Sequence, residues 1–213
     1  MSGKNRNLIA AFFLICPIIG ADASNSSATE FTRAEIERKL SASGSQIDLS
    51  NLDLTGVDLH GLTFRKADFF STKLAGADLR GANRAGANFT RADLEGAKLV
   101  GANLRGAIFY AAQLEKVDFS DADLSRARII GGGRSVLFRN AKLVHADFGA
   151  DPANQGMAPV RAELPDANFE GVDATRANFT HAVLTGANFT GAVITGARFD
   201  YAVLDGANLT LAR

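Results

Sequence analysis

Three histidines, one cysteine and a recurring aspartate are the residues of this 213-residue chain whose chemistry could serve a metal or a nucleophile. His60, His145 and His181 lie far apart, and none has a Cys or a second His at ligand spacing. They read as solvated surface side chains rather than zinc ligands. Asp48 and Asp68 recur at a step of twenty, as do Asp58 and Asp78. Stacked carboxylates can hold Ca²⁺ through oxygen ligands. Asn88, Lys98 and Arg128 interrupt the same columns, and Asp and Asn also form turns by bonding their own backbone, so the structural reading is preferred. No serine lies in a Gly-x-Ser-x-Gly elbow. Glycines 131 to 133 lack the following Gly-Lys-Ser/Thr of a phosphate loop. No catalytic, cofactor-binding or metal-binding residue is expected, and the chain reads as non-enzymatic.

The aspartates belong to a larger pattern. Ala77-Asp78-Leu79-Arg80-Gly81, Ala102-Asn103-Leu104-Arg105-Gly106 and Ala187-Asn188-Phe189-Thr190-Gly191 share one five-residue form. Thirty such units run over 47–131, 136–150 and 162–211. The middle residue is Leu, Phe or Ile in every unit but those of Arg84 and Ala174. A helix wants apolar residues at steps of three and four, and a strand at steps of two. Here two apolar residues lie two apart, then three positions are skipped. Spacing of two puts both side chains on one face of an extended segment. The residues between, rich in Gly, Arg, Asp and Thr, suit a corner. Each unit is therefore a short extended side plus a turn, with one large and one small residue pointing inward to fill an axis without voids.

On these units the chain resembles the pentapeptide repeat family. The resemblance implies an all-β fold: a right-handed, four-sided parallel β-helix with four units per coil and about seven and a half coils. At ~4.8 Å per coil the rod is roughly 36 Å long. Residues twenty apart then stack, giving inward columns Leu49, Phe69, Phe89, Phe109, Ile129 and Leu54, Leu74, Leu94, Leu114. Arg84 holds a middle position between Phe64 and Leu104. A buried unpaired guanidinium is very costly, so the side chain is expected either to escape to solvent or to find carbonyl partners inside.

The ends follow other rules. Lys4 and Arg6 precede an uncharged apolar run, Leu8 to Gly20, and Ala21-Asp22-Ala23 offers small residues two apart. That is the layout of a secretory signal peptide over 1–23, and the run is short of the ~20 residues that span a bilayer. Cys16 follows bulky Phe13-Leu14-Ile15, which argues against lipoprotein acylation. A periplasmic or secreted protein, with no stable membrane span once matured, is expected. Residues 24–46 read as a polar linker and a capping helix, with Thr32-Arg33-Ala34-Glu35 as a capping box and Phe31 as a staple. The repeats occupy 47–211, interrupted by Gly131-Gly132-Gly133 and by a loop insertion, 151–161. The last coil presents a sheet edge, and edges pair, which predicts a homodimer through the C-terminal coil.

The 23 basic residues balance 23 acidic ones, and Arg80, Arg91, Arg105 and Arg126 read as spread over different sides. No nucleic-acid partner is expected, because such binding needs a basic stripe. One wall carries an apolar and aromatic stripe, Phe70, Thr90, Ile108, Tyr110 and Ile130, and aromatics favour interfaces. These five form the candidate contact surface for a protein partner. The sequence reads as an exported scaffold or protein-binding module. The alternative is a DNA-mimic type of pentapeptide repeat protein that binds gyrase, which an acidic outer face would favour.

Overall fold

The computed structural model describes residues 31–43, 47–150 and 160–213. The signal-like segment and most of the 151–161 insertion lie outside these residues. From Ile47 onward the backbone repeats one side, a parallel bridge followed by a two-residue corner. Asp48 pairs with Asp68, Asp53 with Lys73, Asp58 with Asp78 and Thr63 with Asn83, so a regular coil has four walls and takes twenty residues. The walls are labelled A to D in chain order. In coil one their inward residues are Leu49, Leu54, Leu59 and Phe64, each fully buried.

The corners follow from hydrogen bonding. The Leu54 carbonyl accepts the Val57 N–H at 3.1 Å, closing a four-residue turn. The residue before the donor is left-handed, as at Asn51 (φ 59°) and Gly56 (φ 68°). Positive φ at that position marks a type II turn. The Asp or Asn beside the middle residue secures the same corner. Asp48 Oδ1 accepts the Ser50 N–H at 2.8 Å, Asp68 Oδ1 that of Phe70 at 3.0 Å and Asn188 Oδ1 that of Thr190 at 3.0 Å. The recurring acid is thus part of the turn.

Two Phe columns face each other across the axis. On wall A, Phe69, Phe89 and Phe109 stack nearly parallel at 4.8 and 4.9 Å. On wall C, Phe119, Phe138, Phe169 and Phe189 stack at 5.2, 4.8 and 4.6 Å. Wall A rings meet wall C rings edge-on, as Phe109 meets Phe119 at 83°. Both arrangements suit the ring quadrupole. Walls B and D contribute mainly Leu. Helix α1, Arg33–Ser43, lies over the first coil and buries Ile36 fully. Its capping box is closed: Glu35 Oε2 accepts the Thr32 N–H at 2.8 Å, and the Glu35 N–H reaches Thr32 Oγ1 at 3.4 Å. The Arg33 guanidinium ties α1 to coil one through Asp58 and the His60 carbonyl.

Two expectations are corrected. The phase break does not follow Gly131. The four-residue side is Ala127 to Ile130, and Gly131–Ser135 is itself a complete side, with Gly132 bridging Gln113 below and Glu163 above. Only a corner can lose a residue without breaking the ladder, so the deletion falls there. Arg84 takes neither of its two expected routes. It stays inside, fully buried, with its guanidinium 4.3 Å from the Phe64 ring centroid and no hydrogen-bond partner on any of its three nitrogens. A planar, weakly hydrated guanidinium can lie on an aromatic face. Burial pushes its pKa well below the ordinary arginine value.

Candidate contact surface

The stripe on wall A and its corner is assembled by the ladder. The Ser71 N–H reaches the Thr90 carbonyl and the Arg91 N–H the Tyr110 carbonyl, so Phe70, Thr90 and Tyr110 occupy the same corner position of successive coils. All three are half-buried, and Ile108 on the adjoining wall is 40% exposed. Arg128 extends the surface, its guanidinium 5.8 Å from the Tyr110 ring centroid and its Nε 3.9 Å from Asp147. The result is a short aromatic and aliphatic strip with a cation at one end. Its rigidity comes from the ladder beneath it.

Ile130 does not belong to this strip. It is fully buried. The shortened corner draws it in, and it lines a depression of about 240 Å³ together with Ala111, Ala112 and the foot of the insertion, Val160 and Arg161. Deletion and insertion thus share the corner between walls A and B in consecutive coils. Beside this depression a second, of about 400 Å³, opens where Gly132 puts no side chain between Gln113 and Glu163. Its charges are already paired. The Arg134 N–H reaches Glu115 at 2.8 Å, the Arg134 guanidinium meets Asp166, and Arg161 meets Glu163 at 3.3 Å. This notch was missed from sequence. Its signal was the three glycines, which fill two inward slots and one outward slot once the phase break is placed correctly.

The histidines stay apart and exposed. His181 stacks on Tyr201 at 4.9 Å. Among the described residues no group of His, Cys, Asp or Glu converges on a metal position. No helix among them is long and apolar enough to cross a membrane.

A parallel, four-walled solenoid built from five-residue sides defines the class. The family model for pentapeptide repeats matches eight copies, at residues 46–83, 87–126, 161–191 and 175–210, more than half of the chain. The chain belongs to the pentapeptide repeat family. Solved structures to which it is similar include HetL, a pentapeptide repeat protein involved in heterocyst differentiation regulation in the cyanobacterium Nostoc sp. strain PCC 7120. HetL is 26% identical over 84% of this chain and 97% of its own, with a TM-score of 0.34. A pentapeptide repeat protein of the Arabidopsis thaliana thylakoid lumen is 36% identical over 51% of this chain and 69% of its own, with a TM-score of 0.37. QnrB1, a plasmid-mediated fluoroquinolone resistance protein, is 17% identical over 76% of this chain and 91% of its own, with a TM-score of 0.39. No curated protein matches the chain.

Proposed function

We propose that this chain is an exported, non-enzymatic scaffold, a right-handed coil whose outer wall binds a protein partner. The observation that carries the reading is the strip of Phe70, Thr90, Ile108 and Tyr110, held in consecutive coils on a rigid wall. Aromatic side chains in rigid settings supply contact area at little ordering cost. Partner capture from the native host with wild-type bait and with a Phe70→Asp, Tyr110→Asp double variant tests it. The reading predicts partners enriched on wild type and lost on the variant; identical sets from both baits reject it. Export rests on residues 1–23 and is tested by the intact mass of the mature protein in each cell fraction. A periplasmic or secreted form beginning at Ser24 supports it, and a cytoplasmic form retaining Met1 to Ala23 rejects it. Pairing of two copies through coil eight is part of the same reading, since Tyr201, Leu209 and Leu211 are exposed there. A monomer by light scattering at high concentration rejects that pairing. The gyrase-binding alternative is less supported, because Lys73, Lys98, Arg128 and Lys142 stand among the aspartates of the outward columns.

A further inference from the structure

The corner between walls D and A carries a line of basic side chains. Arg65 and Lys66 stand there in coil one, Arg105 in coil three, Arg126 in coil four, His145 in coil five and Arg176 in coil six. All six are exposed, and the other residues of this corner are Ala, Gly, Ser, Thr or Val. At ~4.8 Å per coil the ridge is about 24 Å long. Arg105 and Arg126, expected on different sides, therefore share one edge. The register that joins them to His145 and Arg176 passes through the shortened coil and the insertion. Arg105 is paired with Asp123 at 3.3 Å, while the other five form no ion pair among the described residues. The stems of Lys66 and Arg176 lie along the ridge, 3.4 and 3.3 Å from where a Cβ would stand on Gly86 and Gly196 of the next coil.

From this geometry we infer that the D/A edge binds a linear polyanion one chain wide, an acidic polysaccharide bearing a carboxylate on successive sugars. The basic residues run along one edge in two adjacent corner columns, Arg65 and Arg105 in one and Lys66, Arg126, His145 and Arg176 in the other, which suits repeated like charge. The flanking columns are mixed, Asp123 and Asp173 with Lys142 on wall D and Asp68 and Asp147 with Arg128 and Arg198 on wall A, whereas the corner itself carries no acid. The corner residues between the cations are small, so the ridge has no pocket to read a peptide's side chains. The choice of polysaccharide over nucleic acid rests on the export reading; the ridge itself does not.

The test is fluorescence anisotropy of labelled alginate with the full-length protein at low salt. Wild type is compared with Arg126→Glu, Arg176→Glu and with the control Arg80→Glu, Arg139→Glu, the same charge change on the C/D edge. Arg126→Gly, Arg176→Gly, which suits the backbone at both positions, serves if the reversal misfolds. Binding is expected to weaken more than tenfold in either ridge variant and less than threefold in the control. The slope of log affinity against log salt should fall by about one per cation removed. Absence of binding, or equal loss in ridge and control variants, overturns the proposal. Tighter binding to poly(dT), or to vesicles containing phosphatidylglycerol, overturns the assignment to polysaccharide. A cytoplasmic location with ridge-dependent alginate binding intact would reject export alone.

Discussion

Three consecutive glycines give three different expected outcomes when each is changed to alanine. A Cβ on Gly133 would stand 2.3 Å from the Leu114 carbonyl carbon, 2.4 Å from the Glu115 nitrogen and 2.6 Å from the Leu114 oxygen. These are backbone atoms and cannot rotate aside, so the coils must part locally. Overpacking costs about 1–3 kcal/mol. The Gly133 bond to the Glu163 carbonyl and the Leu114 bond to the Gly132 carbonyl, at 3.0 and 2.8 Å, are strained with it. Each contributes about 1 kcal/mol, so Gly133→Ala should cost roughly 2–4 kcal/mol in all. Gly131→Ala meets the Ala112 oxygen at 2.6 Å and two further backbone atoms, the Ala112 nitrogen and the Phe109 oxygen, at 3.3 Å, and should cost about 1–3 kcal/mol. Gly132→Ala meets nothing nearer than 3.8 Å and is not left-handed. It should stabilise by about 0.4–1 kcal/mol through the unfolded chain. Urea unfolding followed by circular dichroism, with midpoints compared at constant m-value, measures the order. A Gly133→Ala midpoint equal to wild type, or a Gly132→Ala loss as large as that of Gly133→Ala, refutes the placement of the notch.

Arg84→Leu should raise stability by about 2–4 kcal/mol, since removing an unpaired buried charge outweighs the loss of its contact with Phe64. A loss in the same urea experiment would mean the guanidinium is satisfied. Arg84→Lys should make stability rise with pH up to ~10.4, because burial holds the folded-state amine below that value and the unfolded chain then binds more protons; a flat profile from pH 7 to 10 refutes this. Phe89→Ala, between two stacked rings, should cost about 3–5 kcal/mol, and Phe199→Ala, half-buried in coil eight, clearly less; equal losses would show that the column does not act as a stack. The Arg80 side chain, hydrogen-bonded to Asp78, lowers that carboxyl to about 2. Its contribution is complete above pH ~4 and disappears as pH falls through about 2. Half of the Arg80 side chain is exposed, so Asp78→Asn should cost under about 1 kcal/mol at pH 5 and nothing below pH 2. A gap that stays constant across that range refutes it.

Much of this fold is legible in the sequence, because a period of five assigns each residue to a slot before any coordinate is known. The columns from Leu49 to Ile129 and from Leu54 to Leu114 stand as the period places them. Legibility stops where phase is lost. Across Ile129 to Val136 the sequence alone allows the short side to be placed in two ways, and the wrong one puts Ile130 outside. The upper half of the ridge was hidden for the same reason, since Arg126, His145 and Arg176 align only after steps of 19 and 31 residues, while Arg65, Lys66, Arg105 and Arg126 lie in the unbroken run and share their corner by the period alone. Arg84 is a different kind of failure. The period places it inward, while desolvation argues against leaving it there unpaired, and its stacking on Phe64 depends on a ring orientation that no pattern reports.

The left-handed corners separate two alphabets. The interior is written in Leu, Phe and Ala, and any change there is felt by the coils above and below. The two corner residues of each side lie outside the axis, and the turn accepts glycine, lysine, histidine or tyrosine at its second place, as Gly86, Lys66, His145 and Tyr201 show. What the rod says to its surroundings can therefore be rewritten letter by letter while the text that folds it stays the same.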